Sequence, residues 1–185
     1  MSIWKDMLHV LRTGTVVTTL ATEVSTEKAL AAAADYAAED VLNNIASVGQ
    51  GALPWRWEHL AQRKGGSGTI TKGVALCSTT ALIPRLTIYL FRSQPGSTLV
   101  DNEANTAVLT ADRQKYVGRV DFPAMGDLGG NSEAIATPST DGNLPLRFKC
   151  DLADDGLWGV VVTRDAITGE VAGMGLQILF FVEQD

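Results

Sequence analysis

The sequence predicts an all-β fold, a sandwich or barrel of antiparallel strands, on three observations. Apolar and polar residues alternate at period two in several short stretches. Clusters of Gly, Pro, Asn and Asp separate those stretches, among them Gly65-Gly66-Ser67-Gly68, Pro95-Gly96, Gly129-Gly130-Asn131, Asp141-Gly142-Asn143, Asp154-Asp155-Gly156 and Thr168-Gly169. Only two segments carry a helical signal, and both are short. Seven or more short strands with little helix call for two packed sheets or a closed one.

The elements follow in chain order. Ile3, Trp4, Met7, Leu8 and Leu11 lie at helical spacing, and Gly14 ends the stripe. Residues 1–13 therefore read as a short helix or arm, packed on its own sheet or lent to a neighbour, ahead of one sandwich domain over residues 14–185. Val16, Thr18, Leu20, Thr22 and Val24 form one face of a first strand. Thr26 can cap a short helix or turn over Glu27–Ala34, whose alanines favour helix, with extended chain after it. Thr69–Cys77 is a strand with Ile70, Val74 and Leu76 on one side and Gly73 within it.

In the strand over residues 85–91, Leu86, Ile88 and Leu90 face inward and Thr87, Tyr89 and Phe91 outward. An outward aromatic row requires a cover, from the same chain or from a partner. Tyr116–Phe122 puts Tyr116, Val120 and Phe122 on one face, and Leu146, Phe148 and Cys150 line a half-buried strand. Leu157–Thr163 and Leu176–Val182 are near-continuous apolar runs, as expected of strands covered on both faces. The second of them reads as a central strand that closes the sandwich.

Composition narrows the function. The 185 residues carry 45% hydrophobic and 19% charged residues, which places the chain among folded rather than disordered proteins. A formal net charge of −6 disfavours nucleic acid and anionic membrane surfaces as partners, since both need clustered Lys and Arg. No apolar run approaches the roughly 20 residues of a membrane span, and Lys5, Asp6, His9 and Arg12 interrupt the apolar core that a signal peptide would need.

Motifs for chemistry are missing. His9 and His59 are the two histidines, and neither has the HxH neighbour of a sandwich-fold metal site. Asp151–Gly156 departs from a calcium loop at Ala153 and Val162. Lys64-Gly65-Gly66-Ser67-Gly68-Thr69 lacks the Gly-Lys-Ser/Thr ending of a phosphate loop and precedes a strand. No GxSxG elbow occurs. Cys77 and Cys150 sit on strand patterns as small apolar residues, with a bridge geometrically open to them. The expectation is a protein that is no enzyme and uses no metal or cofactor. Trp55-Arg56-Trp57 puts two indoles on one face of an extended segment, for the core, a sugar ring or a protein interface.

The order of features also resembles a family. Tyr36–Leu42 precedes the Gly-rich Gly66–Ile70. Leu86–Phe91 then runs into Gln94-Pro95 and Asp101-Asn102. Tyr116–Val120, Leu157–Val162 and a Leu-rich strand before a terminal acidic residue follow. Over residues 16–185 this resembles the cement or decoration proteins of tailed-bacteriophage heads, with a jelly-roll sandwich. The resemblance implies no catalytic residues and no cofactor. It implies binding to the major capsid protein as a homo-oligomer, a dimer or trimer, on the virion surface. Trp4, Met7, Leu8, Trp55, Trp57, Tyr89 and Phe91 are the candidate subunit contacts. Placement as a tail or neck protein, or as a carbohydrate-binding sandwich using Trp55 and Trp57, are the alternatives.

Overall fold

A computed structural model describes residues 20–31, 34–44, 53–79, 84–139, 141, 143–169 and 173–185. The predicted N-terminal arm, with Trp4, Met7 and Leu8, lies outside the described residues. The strands are β1 (Leu20–Ala29), β2 (Trp55–Trp57), β3 (Ser67–Cys77), β4 (Leu86–Phe91), β5 (Tyr116–Phe122), β6 (Gly126–Asp127), β7 (Ser132–Ala136), β8 (Leu146–Lys149), β9 (Leu157–Thr163) and β10 (Gly175–Gln184). The described residues hold no α-helix, only a short 3₁₀ turn at Thr110–Asp112.

The strands form two antiparallel sheets. Sheet I runs β1-β10-β3-β7-β6, with β8 beside the first part of β3, and sheet II runs β2-β9-β4-β5. The pairings nest: β1 with β10, β2 with β9, β3 with β8, β4 with β5. A long hairpin folded over itself in this way is a jelly roll. The wrap adds β10 to β3 and β9 to β4, so the apolar β9 and β10 become interior strands of their sheets.

Between the sheets lies the core. Trp55 and Trp57 stack with ring centres 6.0 Å apart, and Phe180 tilts against Trp57 at 4.9 Å. Each indole N–H finds a carbonyl, Trp55 that of Leu42 and Trp57 that of Ile178. Burying an indole without such a partner would cost a hydrogen bond. Gly159 makes room: a Cβ there would lie 2.5 Å from the Trp57 ring.

The structure overturns four expectations. Glu27–Ala29 is strand, the end of β1, rather than the start of a helix. Backbone pairing with β10 outweighs the alanines' propensity. In β3, Ile70 pairs with Val182 and Lys72 with Phe181, leaving Thr71 as an extra residue. That bulge reverses the phase. Ile70 faces the core together with Ala75 and Cys77, while Val74 and Leu76 lie on the other face. The same happens in β5, where Leu90 pairs with Gly118 and Phe91 with Tyr116, skipping Val117. Val117 packs on the main core and Tyr116 on a second cluster outside sheet II. Finally, β10 is buried on one face only: Leu176, Ile178, Phe180 and Val182 are inside, and Leu179 and Phe181 are half-exposed.

Candidate functional site

Of the residues proposed as subunit contacts, the four among the described residues fall mostly inside the molecule. Trp55, Trp57 and Phe91 are buried, and Tyr89 is half-buried. The outward row of β4 does face away from the main core, as its alternation predicts, but this chain covers it. Phe91, Val160, Val162 and Val41 form a second apolar cluster, joined by Tyr89, Leu99, Ala107, Val108, Tyr116 and Trp158. The cover is the long loop between β4 and β5 together with the segment around Val41. Two buried aspartates hold it. Asp112 accepts from the Gly96 and Ser97 N–H groups and from the Ser97 hydroxyl. Burial pushes the Asp112 carboxyl up, but those donors and the Lys115 ammonium outweigh it and hold it below the usual carboxylate range. Asp101 accepts from the Asn43 N–H at 2.5 Å and the Tyr36 hydroxyl at 2.8 Å. Trp55, Trp57 and Phe91 therefore offer no surface to a partner or to a sugar ring.

The outer face of sheet I is different. Along one cross-strand row lie Ser25, Leu179, Val74 and Ile135. The row beside it holds Glu27, Gln177, Leu76 and Glu133, and the row on the other side Glu23, Phe181 and Lys72. Leu76, Leu179 and Phe181 are half-exposed and Ile135 is 38% exposed. Lys72 lies over the Phe181 ring at 4.7 Å. The result is an apolar band edged mainly by carboxylates. Sequence reasoning missed it because the run from Leu176 to Val182 looks apolar on both faces, and because the bulge at Thr71 leaves no local mark.

Charged grooves run along the side where the two sheets part. The larger, about 740 Å³, is lined by Arg85, Arg119, Arg164, Asp121 and Asn143 among others. Its guanidinium groups are already engaged: Arg85 with Asp165 at 2.7 Å, Arg164 with Glu39 at 2.6 Å, Arg119 with Asp121 at 2.9 Å. Hydrogen bonding from the Arg85 side chain and N–H holds Asp165 below its ordinary range. A second groove, about 500 Å³, is lined by Ser67, Arg92, Tyr116, Val117, Arg147, Phe148 and Lys149.

On the opposite side, β1 closes the sandwich with side chains. Thr26 donates to the Arg56 carbonyl, and Lys28 donates to the carbonyls of Leu53 and Pro54 and to the Asn43 side chain. Burial pushes the Lys28 amine down to about 8.

Cys77 and Cys150 are both buried free thiols, and burial raises Cys150 to about 12, far from a reactive thiolate. His59 is exposed and pairs with Asp155 at 2.9 Å. Among the described residues no three His, Cys, Asp or Glu side chains are placed to hold a metal ion, and no helix is long and apolar enough to cross a membrane. No family model matches the chain, and no curated protein matches it.

Proposed function

We propose that the chain is a virion structural protein of the capsid cement or decoration class, a homo-oligomer that bridges and stabilises major capsid protein subunits without catalysis or cofactor. The observation that carries this reading is the partly exposed apolar band of Leu76, Ile135, Leu179 and Phe181, set around a buried Val74, on a jelly roll whose other sheet is clad by its own chain. A band of that kind suits contact with another protein. Its carboxylate rim, and the net charge of −6, favour a basic-rimmed partner and the outside of a shell over packed nucleic acid. Mechanically, each contact buries apolar surface worth about 25 cal/mol per Å² before the costs of association. Repetition over a symmetric lattice multiplies a modest contact into resistance of the whole shell. The sugar-binding reading has no exposed aromatic platform at Trp55 and Trp57 to support it.

The test is addition of purified protein to shells assembled from major capsid protein alone. Saturable binding at a fixed ratio, with a raised disruption temperature, is the expected result. A Leu179→Glu, Phe181→Glu double variant that still folds should fail to bind. Electron microscopy of the particle that showed the protein only at the tail or neck would replace the cement reading.

A further inference from the structure

The second groove lies between two open sheet edges. Among the described residues β5 pairs only with β4, and β8 only with β3, so each leaves one side of its backbone unpaired. The two edges converge where Leu146 of β8 lies over Gly118 of β5, so closely that a Cβ on Gly118 would sit 2.7 Å from Leu146 Cδ1. The groove's walls are cationic in an otherwise acidic protein. Arg92 and Lys149 are exposed and have no ion-pair partner among the described residues. Arg147 already holds one carboxylate: Asp185 Oδ2 lies 2.7 Å from both Arg147 and the Ser67 hydroxyl. Tyr116 adds an aromatic wall.

We infer that this groove receives an extended acidic segment of a partner protein, added as a strand to the open edge of β5 or β8. Unpaired N–H and C=O groups supply main-chain hydrogen bonds to any extended segment. Arg92 and Lys149 select one whose alternate side chains are carboxylates, in the way that Arg147 and Ser67 already seat Asp185. The apolar band on sheet I, with its acidic rim, suits the opposite kind of partner, so the two surfaces would grip two different neighbours. The inference does not rest on the capsid reading, because its probe is a peptide.

Lys and Arg on open edges have another use, keeping strands from pairing with other copies. The experiment separates the two. A labelled heptapeptide of alternating Val and Glu is titrated into the protein at low ionic strength, beside its Val/Gln counterpart, with amide shifts followed by NMR. The expected result is binding of the Glu peptide, with shifts at Val117, Gly118, Arg147 and Phe148. Affinity should fall about tenfold in a well-folded Arg92→Gln, Lys149→Gln double variant, as loss of two exposed ion pairs warrants. Equal binding of the Gln peptide, shifts confined to other surfaces, or no binding by the native protein while the double variant self-associates would each overturn the inference.

Discussion

Sheet II and sheet I both carry apolar side chains on their outer faces, and they treat them differently. On sheet II, Phe91, Val160 and Val162 are buried beneath the β4–β5 loop and the segment around Val41. On sheet I, Leu76, Leu179 and Phe181 stay half-exposed, edged by Glu23, Glu27 and Glu133. The first face is sealed by a loop that is itself held by buried carboxylates. The second is left to solvent or to another molecule. A sheet face that needs a cover thus gets one from within the chain only where a long loop is tied down over it, and the tie is polar: Asp112 to Gly96 and Ser97, Asp101 to Asn43 and Tyr36.

The bulge at Thr71 decides which side chains of β3 reach the bare face, and deletions in β3 give the largest effect. Removing Val74 turns Leu76 inward and Ala75 and Cys77 outward, since a one-residue slip moves every later side chain to the other face. Insoluble or unfolded protein is expected. Removing Thr71 deletes only the extra residue and keeps Ala75 and Cys77 inside, so a soluble, cooperatively unfolding product should result. Equal damage from the two deletions, judged by circular dichroism and urea melts, would show that the bulge does not set the phase.

Opening the covered face comes next. Phe91→Ala should cost about 3–5 kcal/mol in chemical denaturation, the range for truncating a large core aromatic. A loss under about 1 kcal/mol would mean that the cover is too loose to count as core.

Smaller again is Asp112→Asn, which should cost about 1–3 kcal/mol by weakening a buried hydrogen-bonded charge. This group also gives the cover a pH dependence. Its folded-state pKa is depressed, so its contribution is complete above the ordinary Asp value of about 4 and is lost as pH falls through the lower folded value. Hydrogen exchange across residues 92–116 should therefore quicken below that pH in the native protein before exchange in β10 does. The variant should lack this step. Synchronous exchange of loop and strand would contradict the assignment.

The smallest effect belongs to the bare face. Phe181→Ser should cost the isolated protein about 1 kcal/mol, well below Phe91→Ala, because part of the side chain is already in water. A cost as large as that of Phe91→Ala would mean that the face is covered after all.

Much of this architecture is legible in the residues. The alternation Leu86, Ile88, Leu90 against Thr87, Tyr89, Phe91 is a local pattern, and it assigned inside and outside in β4 correctly. The turn clusters separate the strands because Gly, Asn and Asp accept backbone angles that strand residues avoid. The apolar runs at Leu157–Thr163 and Leu176–Val182 became interior strands of their sheets, the first buried on both faces and the second on one. Tertiary structure decided the rest. A bulge is a relation between two strands, so neither Thr71 nor Val117 announces one, and the side chains beyond it change face unseen. Glu27–Ala29 joined β1 because ten backbone pairings with β10 outweigh a preference of a few tenths of a kcal/mol per residue. Trp55 and Trp57 went to the core rather than to a surface because Gly159 left space for one ring and the carbonyls of Leu42 and Ile178 met both N–H groups. Which sheet face stays bare depends on where a loop of distant residues lies, and that is fixed only when the whole chain has closed on itself.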